Sequence, residues 1–314
     1  MTSFSTFGSL ILLSLSLSLS AAPLNQQYLS QPLTGNGGEP VTLIRKGVGK
    51  DRVVQGLAID PTHKFIYSSN VTGNPEKGVI NRFHMKSSHV LYAIDAQLPF
   101  AYIGHQGITV DADSGTLYTS TGSAVKNHGW YITKFTYNKN EIPTDFKVIR
   151  IFDNSYSKKI SAMPSISPDN KILAIRARKN QKNYVRIYDF NEFKKNEDQA
   201  DKLPYNEWIV DDGLTKDNYP FQAITTDGKY IYLMSGKSDK LPKRLYIYDL
   251  KGKIVQKIDN LRIGYDDAFD FSQSGAWEPE GLAIDNKSKE LLLFFALGDA
   301  GSRIGRIFRM KIQD

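Results

Sequence analysis

The sequence predicts an all-β fold: a five-bladed β-propeller of four-stranded blades, its ring closed by an N-terminal strand. Three observations predict it. One strand–turn–strand phrase recurs five times, a third strand keeps the same beat, and the last repeat ends one strand short while a spare strand stands ahead of the first. Self-similarity at a fixed period marks propellers and related arrays, in which each unit buries its faces against its neighbours.

In chain order, the spare strand is Val41–Arg45. The first repeat opens with Gln55-Gly56-Leu57-Ala58-Ile59-Asp60 and continues in Phe65-Ile66-Tyr67-Ser68-Ser69. Its counterparts are Gln106–Asp111 with Thr116–Ser120, Pro164–Asp169 with Ile172–Ile175, Gln222–Asp227 with Tyr230–Met234, and Glu280–Asp285 with Leu291–Phe295. The shared aspartates, Asp60, Asp111, Asp169, Asp227 and Asp285, lie 51, 58, 58 and 58 residues apart. Each sits where a tight turn is needed, as in Thr226-Asp227-Gly228-Lys229, so these acids read as turn formers. The first strand carries small residues where neighbouring blades crowd the axis. The second is rich in aromatic and branched residues, as burial on both faces requires.

Third strands follow at Ile80–Met85, Ile132–Tyr137, Val185–Phe190, Leu245–Leu250 and Ile304–Met310, and fourth strands at His89–Ala96, Asp145–Phe152, Asn206–Val210 and Lys253–Asp259. The fifth repeat has no fourth strand before Asp314, so Val41–Arg45 is expected to complete that blade and close the ring. Closure removes an open edge that would invite aggregation. The lysine-rich stretch Lys194–Lys202 reads as an exposed loop.

Composition narrows the class. Apolar residues make up 40% and aromatics 11% of 314 residues, enough for a sizeable core and too many for a disordered chain. There is no cysteine, which excludes disulfides, thiolate zinc sites and a cysteine nucleophile. The net charge of +7 favours loose attraction to anionic polymers, though lysine-driven solubility accounts for it equally. Residues 1–20 read as a cleaved signal peptide, with the apolar run from Leu10 and small residues at Ser18 and Ser20. Residues 21–40 read as a flexible leader and 41–314 as a single propeller, secreted or extracytoplasmic and monomeric. No later stretch is apolar for the ~20 residues a bilayer span needs, so stable membrane insertion is not expected.

The run from Gln55–Asp60 to Trp277-Glu278-Pro279-Glu280-Gly281-Leu282-Ala283-Ile284-Asp285 resembles a propeller domain shared by several cell-envelope proteins. These are receptor-binding proteins of staphylococcal phages, the teichoic-acid biosynthesis protein TagC and, more loosely, helveticin J-type bacteriocins. The resemblance covers residues 45–314 and is sharpest at Glu278–Leu282 and at Gly104-His105-Gln106-Gly107. It implies a surface-polymer-binding or bacteriocin-like role. The export signal departs from the phage members.

Propeller ligands commonly sit at a channel mouth, ringed here by Gln55, His105, Gln106, Phe221, Gln222, Trp277, Glu278 and Glu280. Trp277 and Phe221 are expected to stack on sugar or polyol faces while Gln55, Gln106 and Gln222 bind hydroxyls. The glutamines share one repeat position, so satisfying strand-end backbone is the competing reading. Glu278 and Glu280 are candidate oxygen ligands for Ca²⁺ or Mg²⁺. With His105 they are also the candidates for acid–base catalysis, although glycoside hydrolysis calls for two opposed carboxylates. Residues 127–130 and 176–179, with Lys237, Lys240, Lys243 and Arg244, form an expected basic rim or ordinary solvated loops. No nucleotide-binding or nucleophile-elbow motif appears, and nucleic acid is not an expected partner. The reading is therefore a glycopolymer-binding module, with a polysaccharide or phosphodiester hydrolase or lyase and a protein-binding scaffold as alternatives.

Overall fold

The computed structural model describes residues 40–46, 53–60, 62–72, 77–86 and 88–312. The expected signal at 1–20 and all of the expected leader except Pro40 lie outside these residues.

The described strands fall into five groups of four. The first holds β2 (Val53–Ile59), β3 (Phe65–Thr72), β4 (Lys77–His84) and β5 (Val90–Ala96). The second holds β6 (Ile103–Val110), β7 (Leu117–Thr121), β8 (Tyr131–Phe135) and β9 (Phe146–Arg150). The third holds β10 (Met163–Ile166), β11 (Ile172–Lys179), β12 (Lys182–Asp189) and β13 (Asn206–Ile209). In the fourth are β14 (Phe221–Thr226), β15 (Tyr230–Ser235), β16 (Lys243–Asp249) and β17 (Ile254–Leu261). The fifth joins β18 (Trp277–Asp285), β19 (Glu290–Leu297) and β20 (Ile304–Lys311) to β1 (Val41–Ile44) from the other end of the chain.

Within each blade, successive strands are antiparallel. Strand β1 pairs antiparallel with β20, Val41 opposite Ile307, and on its other edge runs parallel to β5, Thr42 opposite Val90. Blades five and one thereby share one continuous sheet.

The core sits between blades. One cluster joins blades one and two through Tyr67, Ile80, Ile108 and Phe135. Others join two to three, three to four and four to five. A fifth, including Leu57, Phe83, Ala283 and Leu292, joins five back to one. Small residues near the axis let the inner strands meet: a Cβ on Gly281 would stand 2.9 Å from the Leu57 nitrogen.

The repeated aspartates hold the first turn of each blade. Asp227 Oδ1 accepts the amides of Lys229 and Tyr230 at 2.8 and 2.7 Å, and Asp285 Oδ1 those of Lys287 and Ser288 at 3.0 and 3.1 Å. Such self-closing turns are what short acidic side chains favour.

The structure departs from expectation at Lys194–Lys202. That stretch belongs to helix α1 (Phe190–Lys195) and a 3-10 turn over Glu197–Lys202. Asp189 caps α1 by accepting from the amides of Asn191 and Glu192, while Phe190 and Phe193 are fully buried. Glu197 is buried too, accepting from Lys134 Nζ at 2.7 Å and the Tyr118 hydroxyl at 3.2 Å. A second short helix, α2 (Tyr265–Phe271), precedes β18.

Candidate binding site at the channel mouth

The inner strand of most blades carries a deformation at the repeat position just before its small residue. The β2–β3 register slips between Val54 and Gly56, β14–β15 between Phe221 and Ala223, and β18–β19 between Pro279 and Gly281. The extra residues are Gln55, Gln222 and Glu280. In blade two the ladder breaks between Ile103 and Ile108, with Gln106 and Gly107 at φ 70° and 85°. A Cβ at Gly107 would also come within 3.0 Å of Met163 Cβ. A β-bulge re-aims a side chain that regular pleating would direct elsewhere. Blade three has Pro164 at the equivalent position and an unbroken ladder.

These four residues line one cavity of about 1220 Å³. His105, Phe221 and Glu278 line it as well, so seven of the eight residues expected at the mouth meet there. A smaller cavity of about 80 Å³ lies further along the axis, among Leu57, Ile108, Ile166, Thr225 and Leu282.

A hydrogen-bonded chain crosses between non-adjacent blades. Gln106 Nε2 donates to Gln222 Oε1, and Gln222 Nε2 donates to Glu278 Oε1 at 2.9 Å. Arg303, just ahead of β20, donates to Glu278 Oε2 at 2.6 Å and to Ser238 Oγ at 2.6 Å. Both carboxylate oxygens of Glu278 are thus occupied. Glu280 is 2% exposed, and among the described residues neither its buried Oε2 nor Gln55 Oε1 has a partner. Burial, reinforced by the Glu278 charge and only partly offset by Arg303, pushes the Glu280 carboxyl well above the usual range.

The third blade supplies a cationic wall that sequence reasoning had set on the outer rim. Residues 176–179 are not a loop; they end β11, with Arg176 opposite Val185. Arg176 is 5% exposed and faces the cavity over the Phe221 ring at 4.8 Å. Its Nε and Nη2 donate to Asn183 Oδ1 at 3.2 and 2.7 Å, and its Nη1 to the Ser161 carbonyl at 3.3 Å. Burial, with help from the Arg178 charge, lowers its pKa to about 9. Lys159, Arg178 and His128 extend this wall outward, His128 Nε2 lying 2.9 Å from the Lys159 carbonyl.

Two sequence expectations fail. Trp277 has no exposure and packs among Phe295, Leu297 and Tyr265, so it cannot stack on a ligand in the mouth. It neighbours Glu278 in sequence, but adjacent strand residues face opposite sides of a sheet. Phe221, the other expected platform, is itself buried under Arg176. The expected rim also dissolves: Lys243 is buried, its Nζ 2.9 Å from Asp239 Oδ1 and 4.8 Å from the Trp277 ring centroid. Arg244 pairs with Asp217 at 2.6 Å, and Lys237 donates to the Asp217 carbonyl at 2.8 Å.

Metal binding at Glu278 and Glu280 has little geometric support. Arg303 already neutralises Glu278, and among the described residues no cluster of three or more His, Cys, Asp or Glu forms. Among the described residues no helix is long and apolar enough to cross a membrane.

Four-stranded blades arranged about a polar mouth define the architecture, and comparison with known proteins gives the class. Over residues 53–309 the chain matches the family described as the phage 5-bladed beta propeller receptor binding platform domain, and it belongs to that family. Among solved structures it is similar to the tail fiber of Staphylococcus aureus phage P68, with a TM-score of 0.62 and 20% identity over 87% of this chain. The match takes in 52% of the tail fiber, so the chain spans about half of that protein's length. TolB from Acinetobacter baumannii matches at a TM-score of 0.40, with 13% identity over 83% of this chain and 56% of TolB. The GH43 beta 1,3 galactosidase gives 0.47, with 9% identity over 83% of this chain and 62% of the enzyme. Curated proteins gave no match.

Proposed function

We propose that the protein binds a cell-surface glycopolymer of the teichoic-acid or anionic polysaccharide kind at the channel mouth. The observation that carries this is the cavity itself: bulged Gln55, Gln106, Gln222 and Glu280 turned inward beside a wall of Arg176, Arg178 and Lys159. Carboxamides suit hydroxyls, and the cations suit charges along a polymer. Membership of a receptor-binding family and the fold shared with a phage tail fiber support the reading. The export signal read at residues 1–20 adds that the encounter takes place outside the cytoplasm, in a TagC-like or bacteriocin-like setting.

A hydrolase working through Glu278, Glu280 or His105 is the alternative. Against it, Glu278 is engaged through both oxygens and Glu280 lies on the same strand, whereas glycosidases set two carboxyls on opposite sides of the scissile bond. Purified protein incubated with wall teichoic acid and common polysaccharides separates the readings. Retention on the polymer without released product, and reduced retention by Gln222→Ala, is the expected result. Steady product release abolished by Glu280→Gln would instead establish the hydrolase.

A further inference from the structure

Two buried groups of opposite chemistry remain incompletely partnered at the mouth, and they stand on different walls. On blade three, Arg176 has three of its five N–H donors committed, all to neutral oxygens, and among the described residues no carboxylate lies within ion-pair distance of it. One hydrogen on each Nη is left for a further acceptor. An arginine buried without an anion is costly, because its guanidinium stays charged away from water. On blade five, Glu280 has a buried oxygen with no partner among the described residues. Gln55, at the same repeat position of the adjoining blade, presents another. Both residues line the cavity that Arg176 faces.

We infer that the mouth is a bipolar site for a zwitterionic repeat unit, whose phosphate or other oxyanion sits on Arg176 and whose primary ammonium sits on Glu280 and Gln55. This rests on the polymer-binding reading above and specifies its ligand. An ammonium has three donors and answers two unpartnered oxygens at once, while the oxyanion takes the uncommitted Nη hydrogens of Arg176. Among the described residues, the charged groups facing Glu280 are Glu278 on its own strand and Arg303 ahead of β20; β2 and β14 bring neutral Gln55 and Gln222, and β6 brings His105 to the same cavity. Because Glu278 is already paired with Arg303, the arriving ammonium takes Glu280 as its counter-ion. Pairing with the ammonium favours the ionised carboxylate, so whatever fraction of Glu280 is protonated in the free protein passes its proton to the buffer on binding.

Titration calorimetry with ω-aminoalkyl phosphates of graded length, against hydroxyalkyl phosphates of the same lengths, tests this. At one length the amine is expected to bind on the order of tenfold more tightly than its hydroxyl partner, the scale of one charge-assisted contact. Runs in buffers of different ionisation enthalpy should show more proton release for the amine than for the hydroxyl compound, since the phosphate contributes alike to both. Glu280→Gln should remove both the preference and the extra proton release of the amine, and Arg176→Gln should weaken both series. Equal binding of the two series at every length, or a preference that survives Glu280→Gln, would overturn the proposal. So would tighter binding of the hydroxyl series that fades as pH rises, the behaviour of a carboxylic acid donating to a hydroxyl. Failure of both series to bind while the protein still retains purified polymer would also overturn it and leave the polymer reading standing; loss of polymer retention would remove both.

Discussion

The Trp277 indole lies against Phe295 with ring centroids 4.9 Å apart, edge-on to Tyr265, with Lys243 Nζ over its face at 4.8 Å. It joins blade four to blade five, and Glu278 on the next residue faces the cavity because the pleat reverses sides. Trp277→Ala should therefore lower stability by about 3–5 kcal/mol, as large-to-small changes in close-packed cores do. It also strips the cover from a buried lysine. Urea unfolding checks this; an unchanged midpoint with reduced polymer binding would show instead that the indole serves a ligand. The inward glutamines were legible because they recur in register, and Glu278 and Glu280 because they break the repeat. Arg303 carries no signal in Gly301-Ser302-Arg303-Ile304; only the folded chain brings it 2.6 Å from Glu278. Arg176 looked like rim because β11 runs four residues beyond the repeat phrase.

At the scale of elements, nearly every strand was readable from alternation and turn chemistry, since each blade repeats the same burial problem. The bulges were not. One extra residue leaves the apolar pattern almost intact yet decides which side chains enter the channel. Helix α1 was legible in principle: Asp189 followed by Glu192, with Phe190 and Phe193 one turn apart, is a capped apolar turn hidden within a lysine-rich stretch. Strand β1 has the largest consequence for stability. Val41 and Leu43 are 3% and 2% exposed, and the strand pairs with β20 on one edge and β5 on the other. Removing residues 1–46 exposes both edges, apolar inner faces included, and should yield aggregated or unfolded protein by size-exclusion chromatography. Leu43→Asp isolates the strand's contribution within the full chain and should lower the melting temperature clearly. A truncated protein that melts like the full chain would show that the ring holds without this strand.

For the whole molecule, the mouth exists only when all the blades are in place. Gln55 comes from the first, Gln106 from the second, Arg176 from the third, Gln222 from the fourth and Glu280 from the fifth. Its charges are unevenly placed. Lys159 is exposed and Arg178 partly so, whereas Arg176 and Glu280 are both buried. Salt acts differently on these two kinds of cation. The Debye length falls from about 10 Å at 0.1 M to about 3 Å at 1 M, which screens exposed charges strongly and buried ones little. Association with an anionic wall polymer should therefore weaken on the order of tenfold between low and high salt, mostly through a slower on-rate. Lys159→Gln with Arg178→Gln should flatten that dependence while preserving high-salt affinity. Arg176→Gln should do the reverse, lowering affinity at every salt concentration and leaving the slope nearly unchanged. Surface plasmon resonance across a salt series reads both effects. Parallel losses in the two variants would mean that the mouth attracts its ligand by diffuse charge alone, with no anion seated on the buried guanidinium.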